Sequence, residues 1–191
     1  AALAAVPAYA AGQTFTVTSS AMCGGAGTFE QAIKDANASP GRDTIVFTPG
    51  MSVSAAPCAT HAGPDLFPVN ATEAVDIVGN GAKIFGDMHW VDFQGRVNNF
   101  LLCPRTTAGS QWLEKSTGFL SVGTYGQDNS AVDVNVTGLS FDNMPALVLA
   151  FQKSSFTMND SSAQNINSFN DDCSQGAIGG FPGANLALHN V

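Results

Sequence analysis

A single stretch of this chain has a clear helical period, and nearly everything around it reads as short strands. Phe29, Ala32, Ile33 and Ala36 fall at i, i+3, i+4 and i+7, so four apolar side chains share one helix face. Thr28 and Gln31 stand at capping-box spacing: the hydroxyl is placed to accept from an early backbone N–H, and the amide to reach back. Pro40-Gly41 ends the helix. Asp43-Thr44-Ile45-Val46-Phe47 follows at once as a buried strand. A lone helix ahead of a long series of short strands predicts a lid on one end of a stack.

The strands carry their own signature. In Thr14-Phe15-Thr16-Val17-Thr18, polar Thr alternates with Phe15 and Val17. Residues 133–143 alternate in the same way, with Val134, Val136, Leu139 and Phe141 pointing inward and Gly138 at a bend. Glu73 to Gly86 is strand, Gly-Asn-Gly turn, strand, which fits a hairpin or a corner between two faces of one coil. Further strands are expected at Trp90–Phe93, Phe100–Cys103, Gly118–Val122, Ala146–Ala150, Phe156–Met158, Ile166–Phe169 and Leu186–Val191. Residues 49–68 carry four prolines and Cys58 and read as an excursion from the stack. Inward residues recur at intervals of about 20–30, the range of solenoid repeats. The many asparagines suit tight corners, because Asn tolerates positive φ and bonds its own backbone. Stacked in register, Asn amides also bond the coil above and below.

Three segments together resemble the opening of secreted bacterial right-handed parallel β-helix proteins. They are Thr14–Thr18 with the Gly-rich turn after it, Thr28-Phe29-Glu30-Gln31-Ala32-Ile33 with Ala36-Asn37, and Gly41-Arg42-Asp43-Thr44-Ile45-Val46-Phe47. That family usually has Ser-Leu-Arg-(Glu/Gln)-Ala-Ile followed by Ala-Asn; here Thr28-Phe29-Glu30 stands in place of Ser-Leu-Arg. The resemblance covers residues 14 to 48, and later segments share its style. It implies an all-β fold, a right-handed single-stranded parallel β-helix with one N-terminal capping helix, and a cell-surface setting. It implies the corner reading for Glu73 to Gly86. The family is mostly adhesin-like, so the resemblance implies no reaction.

Composition narrows the classes of function. Charged residues make up 12% of the 191, about half the usual share of a soluble domain. The surface is therefore built from Ser, Thr, Asn, Gln and Gly, which suits an exported structural protein better than a cytosolic enzyme. The net charge of −8 with seven scattered basic residues excludes nucleic acid as a partner and disfavours an anionic membrane surface. No run after the first residues is apolar for long enough to span a membrane. Residues 1–10 read as a signal-peptide remnant or an apolar arm, with Ala8-Tyr9-Ala10 in the small-x-small form of a cleavage site. Residues 11–191 read as one β-helix domain.

Cys23, Cys58, Cys103 and Cys173 lack Cys-x-x-Cys spacing, so zinc and dithiol chemistry are disfavoured and two disulfides are expected in an oxidising compartment. Three pairings are possible and sequence does not choose among them; the preferred expectation joins Cys23 to Cys58 and Cys103 to Cys173.

No catalytic set, metal site or cofactor is expected. Asp171 and Asp172 are adjacent, as paired aspartates are in β-helical pectin-degrading glycosidases, but the His-Gly pair those enzymes need is missing. They define the alternative reading, a carbohydrate-active or carbohydrate-binding β-helix. Asp87, His89 and Asp92 are too few for a supported metal centre. Asp142, Asp160, Asp171 and Asp172 reach calcium only if they stack on one side. His61 and His189 have no nucleophile beside them. Trp90, Trp112 and Tyr125 suit stacking on surface glycans if exposed, although core packing is the commoner use.

The end of the sequence reads as a bare strand without a charged or helical cap. An uncovered edge invites pairing, and solenoids normally carry polar caps. Two explanations fit a bare strand there: a chain cut from a longer protein, or an end that pairs with another copy. The second leads to the expectation of a secreted cell-surface protein, a fibre subunit or adhesin, that polymerises head to tail with itself. Its contacts would come from Ala1, Leu3, Val6 and Tyr9 of the arm and from Leu186, Leu188 and Val191 of the last strand.

Overall fold

Asp43–Phe47 shows how the strands of this protein form. β-Branched and aromatic side chains suit extended backbone, and alternate residues turn to opposite faces, so Ile45 and Phe47 are wholly buried while Thr44 and Val46 are half-buried. The computed structural model describes residues 12–60, 67–86, 118–144, 146–166 and 178–191. In chain order these hold β1 (Thr14–Val17), α1 (Phe29–Ala38), β2 (Asp43–Phe47), β3 (Ser52–Ser54), a 3-10 turn (Ala56–Thr60), β4 (Asn70–Ala71) and β5 (Val75–Phe85). Then come β6 (Leu120–Val122), β7 (Asp133–Asp142), β8 (Val148–Ala150), β9 (Ser155–Asn159), β10 (Ser162–Gln164), β11 (Ile178–Gly180) and β12 (Asn185–His189).

Every pairing among these strands is parallel. One sheet runs β1-β2-β5-β7-β9-β12, with β3 beside β5 and β10 beside β7; a second runs β4-β6-β8-β11. Partners are distant in sequence. Phe15 pairs with Ile45, Ile45 with Ile77, Ile77 with Val136, Val136 with Met158, and Met158 with Leu188. The chain therefore repeats one circuit, visiting the large sheet, then the small sheet, then the next place along the large sheet. The result is a mostly β architecture of parallel sheets with, among the described residues, one α-helix.

The segment from Glu73 to Gly86 is not a hairpin. Val75–Val78 runs parallel to Val134–Thr137 and Ala82–Phe85 runs parallel to Leu139–Asp142, with a register shift between them. At that shift Asn80 has φ 52° and Gly81 φ 73°, and Gly138 takes φ 69° at the matching bend of β7. Asp160 and Asn190 take left-handed backbone directly after β9 and β12, and Asn143 and Asn165 do so after β7 and β10. Left-handed backbone costs most L-residues about 1–2 kcal/mol, which Gly avoids and Asn and Asp tolerate. The asparagines thus mark corners.

Other boundaries differ from the sequence reading. Ser52–Ser54, inside the Pro-rich segment read as an excursion, joins the sheet as β3 beside β5. Of the strand expected at Ile166–Phe169, Ile166 lies outside any strand, two residues past the end of β10, and 167–169 lie outside the described residues. The expected strands Trp90–Phe93 and Phe100–Cys103 also lie outside them.

The inward faces form one apolar core that includes the helix. Phe29 of α1 stacks on Phe119 at 4.9 Å and tilts against Phe47 at 5.5 Å, while Phe119 meets Phe141 edge-on at 4.9 Å. Thr28 caps α1, its hydroxyl accepting from the Gln31 N–H at 3.2 Å. The reciprocal half of the capping box is absent. The Gln31 amide donates to Asp35 at 2.8 Å instead, and the Glu30 carboxylate accepts from the Gly24 N–H at 2.9 Å. A disulfide joins Cys23 to Cys58, with Cα atoms 4.9 Å apart, and ties the loop before α1 to the turn after β3. Cys103 and Cys173 lie outside the described residues.

Candidate assembly edge

The two ends of the strand stack are finished differently. At the β1 end, α1 sets Phe29 into the space between the sheets, and the buried faces of Ala32, Ile33 and Ala36 cover the first strands. Asn37 finishes the small sheet. Its Nδ2 donates to the Asn70 carbonyl at 2.8 Å and its Oδ1 accepts from the Thr72 N–H at 2.9 Å, so the outer edge of β4 is hydrogen-bonded without a further strand. Beside it, Ala21 bridges to Ser54, and the Met22 N–H donates to the Ser54 carbonyl at 2.8 Å.

No such cover lies over the other end among the described residues. β10, β11 and β12 are the last members of their ladders there. β12 pairs with β9 in register, Leu186 with Phe156 and Leu188 with Met158. Phe156 and Met158 are wholly buried, yet Leu186 is 40% and Leu188 48% exposed, and Val191 beyond the strand is 51% exposed. These two leucines occupy inward positions of the core ladder with no further strand over them among the described residues. Chain sequence explains the local structure: Leu186-Ala187-Leu188 alternates with polar Asn185 and His189 at its ends, and Gly183 at φ 86° makes the turn into it.

Charged side chains run along the outer face as clamps between neighbouring strands. Arg42 makes a forked contact with Asp76, Nη2 to Oδ1 at 2.6 Å and Nε to Oδ2 at 2.9 Å, and reaches Asp133 with Nη1 at 2.8 Å. Asn135 adds a bond to Asp76 at 3.0 Å. The Arg42 guanidinium, first by hydrogen bonding and then by its charge, holds Asp76 below the usual carboxylate range. Lys83 pairs with Asp142 at 2.6 Å, which, with Asn165, pulls that carboxyl from 3.8 to about 2. These pairs span β2, β5 and β7 and are already satisfied, so they staple the stack and leave no open charge for chemistry.

The remaining residues singled out by sequence divide between the described surface and the rest of the chain. Asp142 and Asp160 are separate, Asp160 accepting from Asn190 at 2.9 Å, and the described residues contain no group of three or more His, Cys, Asp or Glu able to hold a metal ion. Tyr125 lies on the surface, against Phe151 and Phe181. Ala1, Leu3, Val6, Tyr9, His61, Asp87, His89, Trp90, Asp92, Trp112, Asp171 and Asp172 lie outside the described residues. Sequence reading missed the Asn37 cap and strands β3, β4, β10 and β11; the Ala36-Asn37 pair at the end of α1 is the signal that could have found the cap.

No helix is long and apolar enough to cross a membrane among the described residues. Comparisons with protein-family models, curated proteins and solved structures find no match for this chain.

Proposed function

We propose that this is an exported structural protein, a right-handed parallel β-helix whose copies join end to end at the cell surface as a fibre or adhesin. The handedness and setting come from the resemblance of residues 14–48 to secreted bacterial β-helix proteins. The repeated circuit of parallel strands, the Cys23–Cys58 disulfide and the low charge support the reading.

The observation that carries it is the half-exposure of Leu186 and Leu188, in register with wholly buried Phe156 and Met158. Among the described residues no strand follows β12, and covering Leu186 and Leu188 with a further strand would gain about 1–2 kcal/mol each while pairing the N–H and C=O groups of that edge. The occupant is β1 of a second copy, whose outer edge has no neighbouring strand among the described residues although α1 packs over the start of the stack. β1 is the opposite end strand of the same sheet, and its Phe15 stands in the ladder that ends at Leu188. Adding β1 to β12 keeps every strand parallel, whereas a two-fold β12–β12 contact reverses direction at the joint. A contact of one end with the other does not close on itself, so it builds a filament.

Sedimentation across a concentration series and negative-stain micrographs test this. Wild-type protein is expected to grow in mass and form threads, and Leu186→Lys with Leu188→Lys to stay monomeric with an unchanged far-UV spectrum. A wild-type chain that stays monomeric into the millimolar range overturns the reading.

A further inference from the structure

A cluster of rings sits at the corner just beyond the strands of the small sheet. Phe151 directly follows β8 and Phe181 directly follows β11, and the two rings stack at 5.2 Å. Their backbones are locked in step, the Phe151 N–H bonding the Val122 carbonyl and the Phe181 N–H the Ala150 carbonyl, both at 2.9 Å. Tyr125, three residues beyond β6, meets both edge-on, at 6.0 Å from Phe151 and 5.4 Å from Phe181. Its side is open: Tyr125 is 66% exposed.

The loop that presents Tyr125 is held rigid. Asn129, 3% exposed, accepts from the Thr124 N–H at 2.8 Å and donates to the carbonyls of Thr124 at 3.0 Å, Gln152 at 3.0 Å and Gln127 at 3.3 Å. Gly123 takes φ 85°, and a Cβ there would lie 2.6 Å from the Asn129 side chain. Buried hydrogen bonds therefore fix a loop whose most prominent side chain is an aromatic ring facing water. Pre-ordering of this kind removes the entropy cost of arranging a binding surface.

We propose that the exposed ring of Tyr125, held in place by edge-to-face packing against the stacked Phe151–Phe181 pair, is a shelf for a neutral pyranose ring of a polysaccharide. The flat C–H face of a pyranose matches an aromatic platform, and its hydroxyls need a polar rim. Exposed Gln127, Asp128 and Lys153 supply that rim from the same loop and from the turn beside Phe151. Asp128 and Lys153 neutralise each other at 2.9 Å, which leaves the rim without net charge and selects against uronates and phosphates. Size argues against a protein partner. Three rings, two already half-buried, offer at most a few hundred Å² (about 150–250 Å² for a whole aromatic side chain), against about 1,200–2,000 Å² for a stable protein interface. The shelf contains no residue of β1 or β12, although Phe181 lies in the turn leading into β12, and its test reads sugar binding rather than oligomeric mass.

Calorimetric titration of the whole chain with cellohexaose, laminarihexaose, chitohexaose and mannohexaose tests the shelf. At least one is expected to bind, with Tyr125→Ala weakening it about tenfold or more and Tyr125→Phe keeping most of the affinity. Thermal melting of both variants should match wild type, because the ring is exposed. Failure of all four sugars to bind wild type at millimolar concentration overturns the proposal. So does equal binding by Tyr125→Ala. A fall in oligomeric mass on Tyr125→Ala, with no sugar bound by either form, reassigns the shelf to a contact between copies and also overturns it.

Discussion

Asn37 takes the place of a strand beside Asn70. In a parallel ladder one residue bonds a carbonyl and an N–H that flank a single residue of its neighbour. The Asn37 amide does the same with its side chain, giving Nδ2 to Asn70 O at 2.8 Å and accepting the Thr72 N–H at 2.9 Å on either side of Ala71. One side chain from the capping helix thus ends the small sheet where a further strand would otherwise add.

Removing that amide should open the edge. Asn37→Ala leaves Asn70 O and Thr72 N–H without these partners at a half-covered site, at a cost of about 1–3 kcal/mol. Urea unfolding should show the loss, and hydrogen exchange at the Thr72 amide should quicken more than at amides of β9. Unchanged protection at Thr72 would mean that the bond is not formed in solution.

The Cys23–Cys58 bridge encloses a loop of sequence separation 35. Restricting a loop of that length in the unfolded chain contributes about 3–4 kcal/mol. The Cys23→Ala, Cys58→Ala variant should lose most of this, read as a lower urea midpoint with a somewhat steeper slope, because the freed unfolded chain exposes more surface.

Arg42, the residue before β2, joins β5 and β7 through one guanidinium. The fork to Asp76 is geometric as well as electrostatic, so Arg42→Lys should not restore what Arg42→Ala loses. All three groups are partly exposed, with side-chain exposures of 35%, 40% and 42% for Arg42, Asp76 and Asp133, so water screens the network. A double-mutant cycle between Arg42 and Asp76 should give a coupling of about 0.5–1 kcal/mol that shrinks at high salt.

Acid should weaken the stack in a defined window. Asp142, held by Lys83, and Asp128, held by Lys153, lie at about 2 rather than 3.8, and Arg42 lowers Asp76. A carboxyl lowered in the folded state contributes stability in full above its unfolded value, and that stability is lost as pH falls through the folded value. Stability from these groups should therefore hold down to about pH 4 and then decline towards about pH 2. Asp142→Asn should flatten part of that decline in urea midpoints measured against pH.

Corner chemistry offers a sharper test. Gly138 sits at φ 69° in the bend of β7, a place where Asp160 and Asn190 stand after β9 and β12. Gly138→Ala should cost about 1–2 kcal/mol from the left-handed backbone alone, and Gly138→Asn less, since Asn tolerates that region. Equal losses for the two substitutions would show that crowding, not backbone conformation, sets the cost.

How much of this was legible follows from how each element is stabilised. β2, β5, β7 and β9 each bury one face, so alternation along the sequence announces them. Ser162-Ala163-Gln164 and Ile178-Gly179-Gly180 show no such pattern, because β10 and β11 at the bare end bury little and are held as strands by the backbone of β7 and β8. β3 lies in a Pro-rich segment whose composition hides it, and pairing with β5 recruits it. The aromatic shelf was legible only as Tyr125, since nothing local sets Phe151 and Phe181 beside it.

The sequence by itself determined the capping helix and its apolar face, the strands with strict alternation, and the corners marked by Gly and Asn. Each depends on residues within one or two turns of chain, where periodicity and backbone preference act. Tertiary structure alone decided that all the described strands run parallel, which of them are neighbours, and that Asn37 closes the outer edge of the small sheet while Leu186 and Leu188 stand half-exposed on the last described strand. Those outcomes depend on hydrogen bonds and buried contacts between residues far apart in the chain, and a strand carries no local mark of which partner will complete its edge.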